Sequence, residues 1–180
     1  FKCHPDLESL AAAVHYKFLE GAEKSRLAAE EAANPSLAWV IHPAIMRSYE
    51  ELDPDSKASN RAAARRIPDH LALIGYVVES LTPEDDDRWI EPLKGAIERH
   101  LDRLAIAEHL GWCSERKASG WTFAPDRDND LKWHPLLVKW VELATSDRNK
   151  DREFARAIPE LLKTAGFKAV PIGSRRGKGA

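Results

Sequence analysis

The first and second halves of this 180-residue chain contain the same short motifs in the same order. The matched pairs are His42-Pro43 and His134-Pro135, Asn60-Arg61 and Asp151-Arg152, Ile67-Pro68 and Ile158-Pro159, and Gly75-Tyr76 and Gly166-Phe167. The offset is 92 residues for the first pair and 91 for the others, as expected for two related copies with a small insertion. Each copy is near the lower size limit for an independent hydrophobic core. We therefore expect one two-lobed unit with a ligand cleft between the copies.

The same match extends upstream. Ala13-Val14-His15 with Phe18 corresponds to Ala107-Glu108-His109 with Trp112 at an offset of 94 residues. These matches place the first copy at 6–80 and the second at 93–170, with a linker and helix start at 81–92. Residues 171–180 are basic and glycine-rich, so a disordered tail is expected there.

Helical periodicity and helix-end signals occur in each copy. Apolar residues three and four positions apart predict a first helix over 6–33, with a stripe that includes Leu7, Leu10, Val14 and Phe18. Second helices are predicted over 59–74 and 151–164, each stopped by a glycine. Asp53-Pro54 predicts a short turn ahead of the first of these, with Asp53 as the N-cap.

Strand signals are short. Tyr76-Val77-Val78 and residues 167–170 are predicted as strands that pair with each other. Between the copies, Thr82 is predicted to cap a helix that Pro92 kinks and that continues to Trp112. The chain is therefore predicted to be mainly α, an α+β fold with short strands, built from two repeats related by pseudo-two-fold symmetry.

Composition excludes several classes of partner. Lys and Arg number 27 against 29 Asp and Glu, a net charge of −2, so no electrostatic surface for nucleic acid is expected. No apolar run approaches the roughly 18 residues of a membrane span, so direct membrane insertion is not expected. Cys3 and Cys113 lack the spacing of a zinc site or a disulfide framework, which favours a cytoplasmic location. Because the chain begins at Phe1 without methionine, we expect it to be part of a longer protein.

The sequence contains no recognisable catalytic motif. It has no nucleophile elbow, phosphate-binding loop or dinucleotide fingerprint, so we expect neither an enzyme nor a bound cofactor. His42 and His134 have no partner at metal-ligand spacing, so no metal is expected. These two histidines, and His15 and His109 on the helices, are predicted to bond to backbone carbonyls.

Several motifs of the second copy occur in the order of a known family. They are Ala107-Glu108-His109-Leu110-Gly111-Trp112, Gly120-Trp121-Thr122-Phe123, Asp126-Arg127-Asp128 and His134-Pro135-Leu136-Leu137-Val138. This stretch, about 100–170, resembles the ryanodine-receptor repeat, which occurs in tandem pairs in calcium-release channels and also in bacterial and phage proteins. The first copy resembles a degenerate version, with Phe18 in place of the family's tryptophan and without the Gly-Trp segment or the Arg-Asp pair. Ser59-Asn60-Arg61 with Ile67-Pro68 is similar to the form that follows a TrkA-N-type, NAD-binding Rossmann domain linked to potassium transport.

The resemblance implies a non-catalytic regulatory module whose paired repeats bind an adenine nucleotide between aromatic side chains. Phe18 and Trp112 occupy matched positions, so their rings are expected to face each other and sandwich a base. Trp121 is a further candidate for ligand contact. Arg127 with Asp128 is predicted to hold a phosphate or the edge of a base. Phosphate contacts are also predicted for arginines of the second helices, namely Arg61 and Arg152, with Arg65, Arg66 and Arg156 beside them.

The favoured function is a sensor of ATP, ADP-ribose or a cyclic nucleotide that signals to an attached Rossmann, channel or other effector domain. Other interpretations remain open. The aromatic residues equally suit core packing, and the arginines a solvated helix surface. A protein-interaction or scaffold domain without a small ligand would present the aromatic residues as a contact patch. A nucleotide-processing enzyme would need a positioned base or metal.

Overall fold

The structure is a computed structural model that describes residues 5–35, 38–39, 41 and 43–174. Within these residues it contains five α-helices and four short strands, which confirms the predicted fold class. The helices are α1 (Pro5–Glu31), α2 (Pro54–Leu73), α3 (Ile90–Arg99), α4 (Leu101–Ala118) and α5 (Thr145–Thr164). The strands are β1 (Tyr76–Ser80), β2 (Thr122–Phe123), β3 (Trp133–His134) and β4 (Phe167–Pro171). Both halves have the order helix, loop, helix, strand.

Both second helices begin earlier than periodicity predicted, because their first turns are polar. The helix α2 begins directly after Asp53, whose side chain accepts a 2.9 Å hydrogen bond from the Ser56 amide. The predicted turn at Asp53 is therefore the first turn of the long helix. Each helix ends ahead of a glycine in the left-handed region, Gly75 with φ 82° and Gly166 with φ 80°, as predicted.

The segment between the halves differs from its prediction. Thr82 caps no helix; its amide donates a 2.7 Å hydrogen bond to the Asp85 carboxylate, and α3 begins only at residue 90. Pro92 lies in the first turn of α3, where its missing N–H removes no helical hydrogen bond and produces no kink. The break occurs instead at His100, with φ −125° and ψ 21°, between α3 and α4.

The strands β1 and β4 pair antiparallel, as predicted for matched segments of the two halves. Their register runs from Tyr76 opposite Pro171 to Ser80 opposite Phe167. Pro171, which the sequence assigned to the tail, is therefore the last residue of the sheet. Residues 175–180 of the predicted tail lie outside the described residues. The strands β2 and β3 form a separate parallel pair in the second half.

One hydrophobic core joins the halves. Each first helix, α1 or α4, packs against both second helices, α2 and α5. The most deeply buried side chains come from both halves and include Leu10, Ile67, Leu104, Ile158 and Leu162. Since burying one such side chain stabilises a fold by about 1.5–3 kcal/mol, each half depends on the other, as its size predicts. The pseudo-two-fold relation between the halves stays a prediction.

Candidate functional site

A cavity of about 270 Å³ lies between the halves, where the duplication predicted a cleft. Side chains of α1, α2, α4 and α5 line it, together with residues of the connecting loops. Positions that the duplication matches occur in this lining as pairs: His15 and His109, Phe18 and Trp112, Asn60 and Asp151, and Ala63 and Phe154. Both halves therefore contribute equivalent surfaces to one cavity.

Aromatic rings form two groups in the cavity wall. Phe18 packs against Trp39 with ring centroids 5.7 Å apart and planes at 32°. Trp112 stacks on His109 at 5.9 Å and 28°, and the His134 ring meets it edge-on at 4.9 Å. Phe18 and Trp112 thus line one cavity, although the ring packed against each comes from its own half. Both side chains are only partly buried, so each retains surface on which a planar ligand can stack.

Two of the predicted phosphate-binding residues lie outside the cavity lining. Arg61 pairs with Glu8 on α1, and Arg152 donates a 2.7 Å hydrogen bond to Asp102 on α4. The residue before each arginine lines the cavity instead. Successive residues of an α-helix point about 100° apart, so neighbours on one helix do not share a direction. Arg61 and Arg152 therefore do not line the cavity, contrary to the prediction that they contact a phosphate there.

The motif around Trp121 supplies a cation to the cavity rather than a stacking ring. Trp121 is buried, and its ring centroid lies 4.9 Å from the guanidinium carbon of Arg116 and 5.9 Å from that of Arg127. Arg127 lines the cavity. Asp128 has a different role, because its carboxylate accepts two 2.9 Å hydrogen bonds from the amides that follow it and closes the turn.

A buried ion pair joins α2 to α4 in the cavity wall. Arg66 donates to both carboxylate oxygens of Glu108, from Nη2 to Oε1 at 2.5 Å and from Nε to Oε2 at 3.0 Å. The side chains are 16% and 7% exposed. The pair requires Gly111, because a Cβ there would lie 2.3 Å from Cδ of Arg66. This bidentate contact neutralises both charges and fixes the spacing of α2 and α4.

Asp151 is a buried carboxyl group in the same wall. Burial raises the pKa of Asp151 to about 8, and the Glu108 charge adds to the increase, whereas Lys150 and Arg66 oppose it. Nδ1 of His109 is 3.8 Å from Oδ2, beyond hydrogen-bonding distance. Asp151 is therefore mainly protonated at neutral pH and can donate a hydrogen bond to a ligand.

Two arginines place positive charge in part of the cavity wall. Arg116 is only 7% exposed, and burial lowers its pKa. Burial lowers the pKa of Arg127 to about 10, with the Arg116 charge as a further cause. Burial, followed by the charges of these two arginines, lowers the pKa of His134 to about 3. His134 is thus neutral at pH 7, and the positive charges that act on it are those of Arg127, Arg116 and Lys150.

Two of the histidines have the predicted structural role. Nε2 of His15 donates to the Arg47 carbonyl at 2.7 Å, and Nε2 of His109 donates to the Val138 carbonyl at 2.8 Å. These matched bonds tie each first helix to the loop of its own half. His134 differs from its prediction, because its Nδ1 accepts a 3.1 Å hydrogen bond from a backbone amide. His42 lies outside the described residues.

Sequence reasoning missed Trp39, Arg116 and Asp151 as cavity residues. A signal for Arg116 existed, since it follows Trp112 by four residues and so lies on the same helix face. Trp39 reaches α1 only because Gly21 leaves room; a Cβ there would lie 2.8 Å from its ring. No local sequence pattern predicts that contact.

The described part of the chain contains neither a cluster of metal-ligating side chains nor a helix that could span a membrane. There, no group of three or more His, Cys, Asp or Glu side chains could hold a metal ion. No helix in the same residues has the length and apolar character needed to cross a membrane.

Comparison with known families agrees with the order of motifs in the second half. The family model described as the RyR domain matches residues 87–170, from just before α3 to the penultimate residue of β4. The first half lies outside this match, so a second domain of this type there stays a prediction. Residues 87–170, which supply Trp112, Arg116 and Arg127 to the cavity, thus match the RyR domain family model.

Proposed function

We propose that this chain is a non-catalytic regulatory module that binds a small nucleotide in the cavity between its halves. The RyR domain family suggests a non-catalytic regulatory or interaction module. The proposal that the ligand is a nucleotide rests on one observation. The cavity is lined by two partly exposed rings, Phe18 and Trp112, and by two cations, Arg116 and Arg127. Stacking of a base contributes about 1–3 kcal/mol per ring. Guanidinium groups bind phosphate through parallel hydrogen bonds.

The size and polar groups of the cavity favour a mononucleotide, linear or cyclic, over the longer ADP-ribose. Its volume of about 270 Å³ is close to the lower limit of small-molecule pockets, about 300–1,000 Å³. Asn60 donates a 3.0 Å hydrogen bond to the Ser56 carbonyl, so its own oxygen remains an acceptor. Protonated Asp151 supplies a donor. A donor and an acceptor together can recognise the edge of a base.

A ligand in this position contacts both halves at once. It therefore stabilises one arrangement of α1 and α2 relative to α4 and α5, and the difference in affinity between arrangements is what an attached or partner effector would detect. The proposed module works in the cytoplasm and carries out no chemical step.

A thermal-shift screen with AMP, ATP, cyclic mononucleotides, NAD and ADP-ribose tests the proposal. A ligand at 100 times its Kd adds about 2.7 kcal/mol, a shift of roughly 5–11 °C for a chain of this size. Trp112→Ala should weaken binding about 5- to 150-fold, the equivalent of one stacked ring. Trp133→Ala is the matched control, because Trp133 is 42% exposed and outside the cavity lining. Equal losses in the two variants, or turnover of any nucleotide, would contradict the proposal.

Exposed apolar side chains near β2 and β3 favour a second candidate function, protein interaction. Phe123, Leu131 and Trp133 are 57%, 55% and 42% exposed, on or beside β2 and β3. Exposed large apolar side chains occur at protein contact sites. A folded protein that binds no nucleotide, but captures a partner that Phe123→Ser releases, would favour this function.

A further inference from the structure

Asp151 is an acidic side chain in the wall of the cavity. It is 20% exposed and lines the cavity. Within the described part of the chain, the one basic nitrogen within 4 Å of its carboxyl group is Nδ1 of His109, at 3.8 Å. Nε2 of His109 donates to the Val138 carbonyl, so in the neutral imidazole Nδ1 is an acceptor that faces the acid. An acceptor in this position favours a protonated carboxyl group over a carboxylate.

Two cations next to Asp151, Arg66 and Lys150, are bound to other carboxylates. Arg66 donates to both carboxylate oxygens of Glu108, and Lys150 donates a 2.9 Å hydrogen bond to Asp147. Burial is the main cause of the raised pKa of Asp151; the charges of Glu108 and Asp147 add to it, and those of Lys150 and Arg66 oppose it. An ionised Asp151 would therefore add a buried negative charge that neither cation neutralises, which is strongly unfavourable.

Helix α1 also contributes charged side chains to the cavity lining. Lys17 donates to Glu20 at 2.9 Å and to Glu160 at 2.6 Å. Lys24 pairs with Glu20 at 2.5 Å. The remaining titratable groups of the lining are His15, Arg116, Arg127, His134 and Glu153. Because Lys17 and Lys24 already have counter-ions, ionisation of Asp151 makes the net charge of the wall more negative.

The matched position of the first half holds a neutral side chain of nearly the same shape. Asn60 lines the same cavity, and the motif Asn60-Arg61 corresponds to Asp151-Arg152. An amide and a protonated carboxyl group each offer both a donor and an acceptor, whereas a carboxylate only accepts hydrogen bonds. Protonation of Asp151 therefore gives the two halves equivalent neutral groups at the cavity, and ionisation removes that equivalence.

We propose that the cavity binds an anionic ligand only while the carboxyl group of Asp151 is protonated, so that rising pH releases the ligand. This inference rests on the proposed nucleotide binding and concerns its regulation. An ionised Asp151 repels a phosphate and can no longer donate a hydrogen bond to the ligand. Burial raises the pKa of Asp151 to about 8. Since only the protonated fraction of the free protein binds, Kd should increase roughly tenfold from pH 7 to pH 9.

Isothermal titration calorimetry at pH 7, 8 and 9 tests the inference with AMP and cyclic AMP, whose charges stay nearly constant over this range. At pH 8 the free carboxyl group is half ionised, so binding should take up about half a proton, measured in buffers of different ionisation enthalpy. For Asp151→Asn, whatever its Kd at pH 7, the value should change less than about twofold by pH 9, without proton uptake. Asp102→Asn removes an exposed carboxylate outside the cavity lining and should keep the roughly tenfold change.

Each result decides a different claim. Equal Kd values at pH 7 and pH 9, or a pH dependence that Asp151→Asn retains, would overturn the inference and leave nucleotide binding intact. If no nucleotide binds, the proposed function fails, and sulfate, a dianion throughout this range, then decides the inference. Saturable sulfate binding that weakens at pH 9 in the unmodified protein but not in Asp151→Asn supports it, and any other result overturns it. Should Asp151→Asn fail to fold, proton uptake by the unmodified protein at pH 8 supports the inference, and its absence overturns it.

Discussion

Replacing Asp151 with asparagine should stabilise the protein at neutral pH. The pKa of Asp151 rises from its ordinary 3.8 to about 8 in the folded state, so the folded protein binds this proton more tightly than the unfolded chain does. As pH rises above 3.8, ionisation in the unfolded state therefore favours unfolding, and the effect is complete above about pH 8. At about 1.36 kcal/mol per pKa unit, the interval from 3.8 to pH 7 corresponds to roughly 4 kcal/mol.

Burial is the main cause of this shift. The Asp151 side chain is 20% exposed. Charged neighbours on the same helix and on the helices packed against it act in both directions: Glu108 and Asp147 raise the pKa, and Lys150 and Arg66 lower it. The His109 ring nitrogen at 3.8 Å is too distant to hold the carboxylate by a hydrogen bond. An asparagine of nearly the same shape removes the ionisation and keeps the packing.

Urea denaturation at pH 5, 7 and 8.5 measures the effect. The gain in unfolding free energy for Asp151→Asn should be roughly 1–2 kcal/mol at pH 5, roughly 4 at pH 7, and constant above pH 8. Asp102→Asn is the matched control with the opposite sign, because a hydrogen bond from Arg152 lowers the pKa of this 65%-exposed carboxylate. Its substitution should destabilise by less than about 1 kcal/mol. A gain for Asp151→Asn that does not change with pH, or no gain, would refute the reasoning.

Two glycine substitutions can be tested by the same urea assay. Gly111→Ala probes the packing around the cavity, and Gly75→Ala probes the end of α2. Gly111→Ala would place a Cβ 2.3 Å from Arg66 and should break its pair with Glu108, at a loss of about 3–5 kcal/mol. The control Gly95→Ala meets only a flexible side chain at 3.4 Å and should stabilise by roughly 0.5–1 kcal/mol. Equal stabilities of these variants would contradict the first prediction. Gly75→Ala, at φ 82° with no atom within 4 Å of the new Cβ, should lose about 1–2 kcal/mol from backbone strain alone; unchanged stability would show that the left-handed residue is not required.

Local signals in the sequence predicted the elements and their order. Gly75 and Gly166 end the second helices because a glycine adopts the left-handed conformation readily. The matched motifs predicted that the two strands pair, which is confirmed. They also predicted that the rings of Phe18 and Trp112 face each other across a cleft; both residues line one cavity, and the facing arrangement stays a prediction. Predictions failed where a proline or a polar turn is compatible with two different local structures. Pro92 fits the first turn of a helix as well as a kink, and only the break at His100 shows which applies.

By itself, the sequence predicted the mainly helical fold with its paired strands and the resemblance of the second half to the RyR domain family, because these depend on local spacing and on motif order. Only the tertiary structure decided which side chains of the helices reach the cavity. Arg61 and Arg152 face Glu8 and Asp102, while Arg66 and Arg116 line the cavity. Successive side chains of an α-helix point about 100° apart around its axis. Which of them reach the cavity therefore depends on how the helices pack. The charge of the site follows from the same packing, since burial against residues distant in sequence keeps Asp151 protonated and leaves Nε of Arg116 without a hydrogen-bond partner among the described residues.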